Sequence, residues 1–197
     1  AELVRLAQAR SAPGQPARMK RDEVLARVNG KPITGRQLLP FADGATDEQS
    51  VSPEMYAYLL DRAISREVTF QEASRVGVLL SAEQRQELTA RRNQERDPAR
   101  AAFDERDTEY QLLLTALADR AGVPSPHATQ ADVDAYYRNH PSEFEALPED
   151  PARRATAWNA IQLSIRQTLS DELQSAHHAG LQTLLADLKT AAQINLN

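Results

Sequence analysis

The chain of 197 residues contains no cysteine. That removes disulfide frameworks, thiolate nucleophiles, zinc fingers and iron–sulfur clusters together. Glycine is scarce, with seven residues of which no two lie closer than five positions apart, so no Gly-rich loop is present to cradle a phosphate. Aromatic residues make up 5% of the chain, and a core must therefore be built from Ala and Leu rather than from rings. No apolar run approaches the roughly 18 residues that a bilayer span needs. Residues 1–30 also lack the apolar stretch of a signal peptide, so any export signal is expected to have been removed or never to have been present. A basic surplus is missing too. Lys plus Arg number 23 against 28 Asp plus Glu, a net charge of −5 with the signs interleaved, which argues against a nucleic-acid partner because phosphate binding wants a basic patch.

What the chain has in abundance is 32 Ala and 23 Leu, strong helix formers that point to a mainly α fold. Leu3, Leu6 and Ala7 have helical spacing before Ser11–Gln15 ends the run, and residues 1–23 read as an N-terminal arm. From Val24 the period changes. Val24, Ala26 and Val28 alternate with Leu25 and Arg27, a half-buried strand, and Asn29-Gly30 suits a tight hairpin turn. Lys31–Ile33 is the returning strand, held to a sheet edge by Pro32, and Thr34 caps a short helix. Asp43–Ser50 reads as a polar loop. Ser52-Pro53 starts a helix that should stop at Gly77. Ser81 with Gln84 forms a capping box for a charged helix to about Glu95. Further helices are expected near Asp107–Ala121 and from Thr129 to His140-Pro141.

From about Ala155 to Ala192 there is no proline and only Gly180 as a weak point. A continuous helix there would be about 57 Å long at 1.5 Å per residue, so it should project, pack on another domain, or break near His177–Gly180. Ile194 and Leu196 then alternate with Asn195 and Asn197, a strand signal. A lone hairpin is marginal in water; the tail is the only other strand read from the sequence, and its pairing with Val24–Val28 would join the two ends of the domain.

Chemistry-bearing clusters are few. His177 and His178 point about 100° apart on a helix and do not share a metal. Asp132 with Asp134 and Glu143 with Glu145 are two residues apart and do not share a helix face. Ser175 and Asp171 lie near His178, but sequence adjacency does not assemble a triad. No catalytic residue, metal or cofactor is therefore assigned. The apolar stripes are the candidates instead. Tyr56, Leu60, Ile64 and Val68 recur every four residues, and Trp158, Ile161 and Ile165 begin the stripe of the long helix. Either the first stripe is core, packed against the Trp158–Leu173 face, or these residues line a groove that accepts extended or partly folded chains, gaining roughly 25 cal/mol per Å² of apolar area covered.

Val24–Thr34 (VLARVNGKPIT) resembles the opening strand-turn-helix of the SurA-like extracytoplasmic chaperone-foldase family, which includes the PrsA and PpiD types. Leu59–Val68, Gln71–Ala73 and Val76-Gly77 are similar to the family's second signature helix. Asp132–Tyr137 with Phe144 resembles the segment leading into a parvulin isomerase domain, and Ile161–Leu196 the returning helix and strand. The resemblance implies one SurA-like helical domain over 24–197, with a small β layer and a long C-terminal helix. In isomerase-bearing members a glycine-rich parvulin segment of roughly a hundred residues sits where this chain has only residues 141–156, a short linker without glycine. The family pattern thus implies a non-enzymatic, periplasmic or otherwise extracytoplasmic chaperone that binds unfolded or exported polypeptides. Two other classes stay open: an adapter using the same surfaces for homodimerisation or docking to one partner, and a prolyl isomerase. A membrane tether N-terminal to Ala1 also stays open.

Overall fold

The computed structural model describes residues 16–39 and 48–197. The chain is mainly helical with small antiparallel sheets, and its long C-terminal helix leads into a terminal strand. In order, the elements are β1 (Ala17–Lys20), β2 (Val24–Val28), β3 (Lys31–Thr34), α1 (Gly35–Leu38), β4 (Glu48–Val51), α2 (Pro53–Val76), α3 (Ala82–Gln94), α4 (Pro98–Arg120), α5 (Gln130–Asn139), a 3₁₀ turn (Pro141–Glu143), α6 (Pro151–Ala191) and β5 (Ile194–Leu196).

The hairpin forms where its sequence places it. Asn29 takes a φ of 49° and Gly30 of 82°, the left-handed pair that a tight turn between twisted strands requires. β2 pairs with β3 on one side and with β5 on the other, in the order β3-β2-β5, so the tail does return to the hairpin. The register opposes Ala26 to Leu196, Arg27 to Asn195 and Val28 to Ile194. An irregularity between Val24 and Ala26 turns two consecutive side chains, Leu25 and Ala26, into the interior, and both are fully buried. Such a bulge breaks the period-two alternation.

Two strands escaped the sequence reading. β1, in the stretch read as an arm, pairs antiparallel with β4, which includes part of the stretch read as a polar loop. β4 (Glu-Gln-Ser-Val) has no apolar alternation and β1 has no turn signal linking it to a neighbouring strand, so only pairing reveals that Ala17 and Met19 are fully buried. The helix expected over Ala1–Arg10 lies outside the described residues.

Caps set the helix boundaries. Ser52 accepts a hydrogen bond from the Met55 amide at 3.2 Å, with Pro53 in the first turn, and α2 ends at Gly77 with φ 72°. Capping boxes open α3 at Ser81 and Gln84 and α5 at Thr129 and Asp132. α4 starts earlier than read, at Pro98, because the Asp97 carboxylate accepts from the Ala99 amide at 2.9 Å. α6 runs unbroken through Gly180 for 41 residues. A Cβ at that glycine would lie 2.7 Å from Val123 Cγ1. Gly180 is therefore a place of close packing, not the break that the sequence allowed.

Two compact units result. One holds the described residues up to Leu117 with Leu185–Asn197; the other is Ala118–Leu184. The first has the larger core: Met19, Leu25, Val28, Ile33 and Leu38 meet Tyr56, Leu60, Ile64 and Val68, with Leu188, Ala192, Ile194 and Leu196 packed against them. The second buries few hydrophobic residues, Val133 and Ile165 among them.

Candidate functional site

Tyr56, Leu60, Ile64 and Val68 are between 0% and 3% exposed, so this stripe is the spine of the first core. Its partner is the β layer with Leu188 from the last turn of α6 and Ala192 just beyond it, where the sequence reading had placed the Trp158–Leu173 face. The reason is topological: once β5 pairs with β2, the end of α6 is drawn over the same sheet that α2 covers. The four residues offer no free surface to a second chain.

Trp158, Ile161 and Ile165 belong to the second unit and have different surroundings. Ile165 is 1% exposed, whereas Trp158 and Ile161 are half-buried. Trp158 meets Tyr137 edge-on with ring centroids 5.0 Å apart. Tyr137 lies 5.3 Å from Phe144, and Tyr136 stacks on His140 at 4.1 Å. The Tyr136 hydroxyl donates to Glu143 at 2.9 Å, and this bond, with burial, pushes the phenol pKa upward. These contacts hold the turn after α5 against α6. Four of the ten aromatic residues thus gather in one small cluster, half-buried in every case. Nearby on α6, Leu163 is 67% exposed. It lines an open groove of about 450 Å³ with Pro126, Ala128, Arg166 and Gln167.

A polar constellation was missed by sequence reasoning. Arg66 and Glu67 on α2 are only 2% and 1% exposed. Glu67 accepts from Lys31 of the hairpin at 2.9 Å, from Arg106 of α4 at 3.4 Å and from Gln71 at 2.9 Å. Gln71 also donates to the Val28 carbonyl and accepts from Asn29. The Asn29 side chain in turn accepts from the Gln193 amide at 2.7 Å. Hairpin, both long helices of the first unit and the lead into β5 are thereby tied to one buried carboxylate. Arg62 forks onto Asp107 at 2.6 and 2.7 Å. Arg66 donates to the Gln37 carbonyl and lies 5.5 Å over the Phe103 ring. Burial first, and the neighbouring Arg106 second, lower its pKa to about 10. In sequence these residues look like ordinary solvated helix charges, and only the closeness of α4 and the hairpin puts them inside. Their arrangement holds elements together.

Among the described residues no group of three or more His, Asp or Glu side chains is placed to hold a metal ion, and no helix is long and apolar enough to cross a membrane. No protein-family model, no curated protein and no solved structure matches the chain.

Proposed function

We propose that the protein is a non-enzymatic, chaperone-like binder of unfolded or newly exported polypeptides that acts outside the cytoplasm. The observation that carries the reading is the incomplete burial of α6. Of its 41 residues only Ile165 is fully buried. Trp158, Ile161, Leu169 and Leu173 are half-buried, and Leu163 stands open at the groove. A helix with this many apolar positions normally buries an apolar stripe, and what stays uncovered is available to other chains. Contacts of this kind are non-directional, so client sequence would be loosely specified and binding weak and reversible. Compartment and client class rest on the SurA-like sequence patches. The linker expected over 141–156 is shorter still, because α6 already starts at Pro151, and so short a connection between α5 and α6 in place of a parvulin domain supports capture without isomerisation.

Light scattering of a denatured, aggregation-prone model protein tests this. A severalfold excess of the chain should suppress the signal. Ile161→Ser combined with Leu163→Ser should weaken the suppression while circular dichroism stays native. Absence of suppression by the wild type, or equal suppression by the variant, would overturn the reading.

A further inference from the structure

The three-stranded sheet has two outer edges, and they are treated differently. On the β3 side, Pro32 opposes Arg27 and has no N–H to offer, while the Thr34 amide donates to Gln37 Oε1 at 2.7 Å. That edge is closed by sequence and by a side chain, as exposed edges commonly are. On the β5 side neither device is present. The Asn29 amide donates to the Gln193 carbonyl at 2.8 Å and the Asn197 amide to the Leu25 carbonyl at 3.1 Å, so the main-chain groups that face β2 are those of Asn195 within β5 and of Gln193 and Asn197 on either side of it. By the alternation of an antiparallel ladder, the N–H and C=O groups of Ile194 and Leu196 point the other way. No strand pairs there among the described residues, and β5 carries no charge to repel one.

We infer that the outer edge of β5 accepts an extended polypeptide segment as a fourth strand, through the main-chain groups of Ile194 and Leu196. The inference rests on the reading above that extended chains are what the protein holds. Two outward-facing residues make a contact far smaller than the roughly 1,000 Å² of a stable protein interface, so the occupant is a weakly held segment and not a permanent second copy. Its pattern follows from the sheet. Ile194 and Leu196 pack on the core while Asn195 and Asn197 are exposed. In an antiparallel pair directly opposed residues share a face, so a strand added antiparallel to β5 presents apolar side chains opposite Ile194 and Leu196 and a polar one opposite Asn195. Its apolar residues are also the ones whose main-chain groups face β5.

The test uses the whole ¹⁵N-labelled chain and a synthetic seven-residue peptide of alternating valine and threonine ending in lysine. Peptide should slow amide exchange at Ile194 and Leu196. N-methylation of valine nitrogens should weaken binding by about tenfold per methyl group, while N-methylation of threonine nitrogens should leave it unchanged. Three results would overturn the inference: no binding at millimolar peptide, equal binding of both methylated forms, or protection of Ile194 and Leu196 that rises with protein concentration alone, which would assign the edge to a second copy. In each case aggregation suppression, read separately, still decides the broader function.

Discussion

Replacing Glu67 by alanine removes the buried acceptor shared by Lys31, Arg106 and Gln71. The loss follows from how much of each partner already meets water. The Lys31 and Arg106 side chains are 53% and 39% exposed, so both rehydrate when the carboxylate goes, and each ion pair is worth only about 0.5–1 kcal/mol. The part-buried Gln71 bond adds about 1 kcal/mol, and the void left in a 1%-exposed site about 1 kcal/mol more. The expected total is about 3 kcal/mol, at the lower end of what breaking a fully buried pair costs. Glu67→Gln keeps the volume and the Gln71 contact and should lose about 1–2 kcal/mol. With a urea m-value of about 2–3 kcal/mol/M, Glu67→Ala should lower the circular-dichroism midpoint by about 1 M at unchanged m. A Glu67→Ala midpoint within about 0.3 M of wild type would refute the view that this carboxylate ties hairpin, α2 and α4 together. A Glu67→Ala, Lys31→Ala double-mutant cycle should return about 0.5–1 kcal/mol of coupling.

Other perturbations test neighbouring parts of the structure. Leu60→Ala, at a site 0% exposed beneath the sheet, should cost about 2–5 kcal/mol by denaturant titration. Gly180→Ala gains roughly 1 kcal/mol of helix propensity but drives a Cβ to 2.7 Å from Val123 Cγ1; the clash should win, and a raised Tm would show that Val123 moves freely. The Thr129 side chain and amide hold the Asp132 carboxyl below the ordinary carboxylate pKa. A depressed folded pKa contributes stability that is present above the unfolded value and is lost as pH falls through the folded one. In an NMR titration Asp132 should therefore ionise below a typical Asp, and Thr129→Ala should move that midpoint upward and weaken the acid-side pH dependence.

Local chemistry made much of the architecture legible. Asn29-Gly30 fixed the hairpin, Ser52-Pro53 and Gly77 bounded α2, and the Ser81 and Thr129 boxes opened α3 and α5, because turns and caps are decided by a few adjacent residues. The stripe Tyr56, Leu60, Ile64, Val68 was legible as apolar, and the alternation of Ile194 with Leu196 announced the strand that closes the sheet. β1 and β4 were not legible, since a four-residue strand acquires its hydrogen-bond partner from a distant segment. Nor was the burial of Arg66 and Glu67, whose spacing is that of any exposed helix charge.

The sequence by itself determined that the chain is mainly helical, where most helices start and stop, and that its tail is built to pair with its hairpin; these follow from dihedral preference and periodicity within a dozen residues. Only the tertiary structure decided which apolar faces are spent on the core and which stay open. Periodicity shows that a face is apolar, but long-range packing of the sheet, α2 and the end of α6 assigns the cover, and it covers Tyr56, Leu60, Ile64 and Val68 while leaving Leu163 exposed.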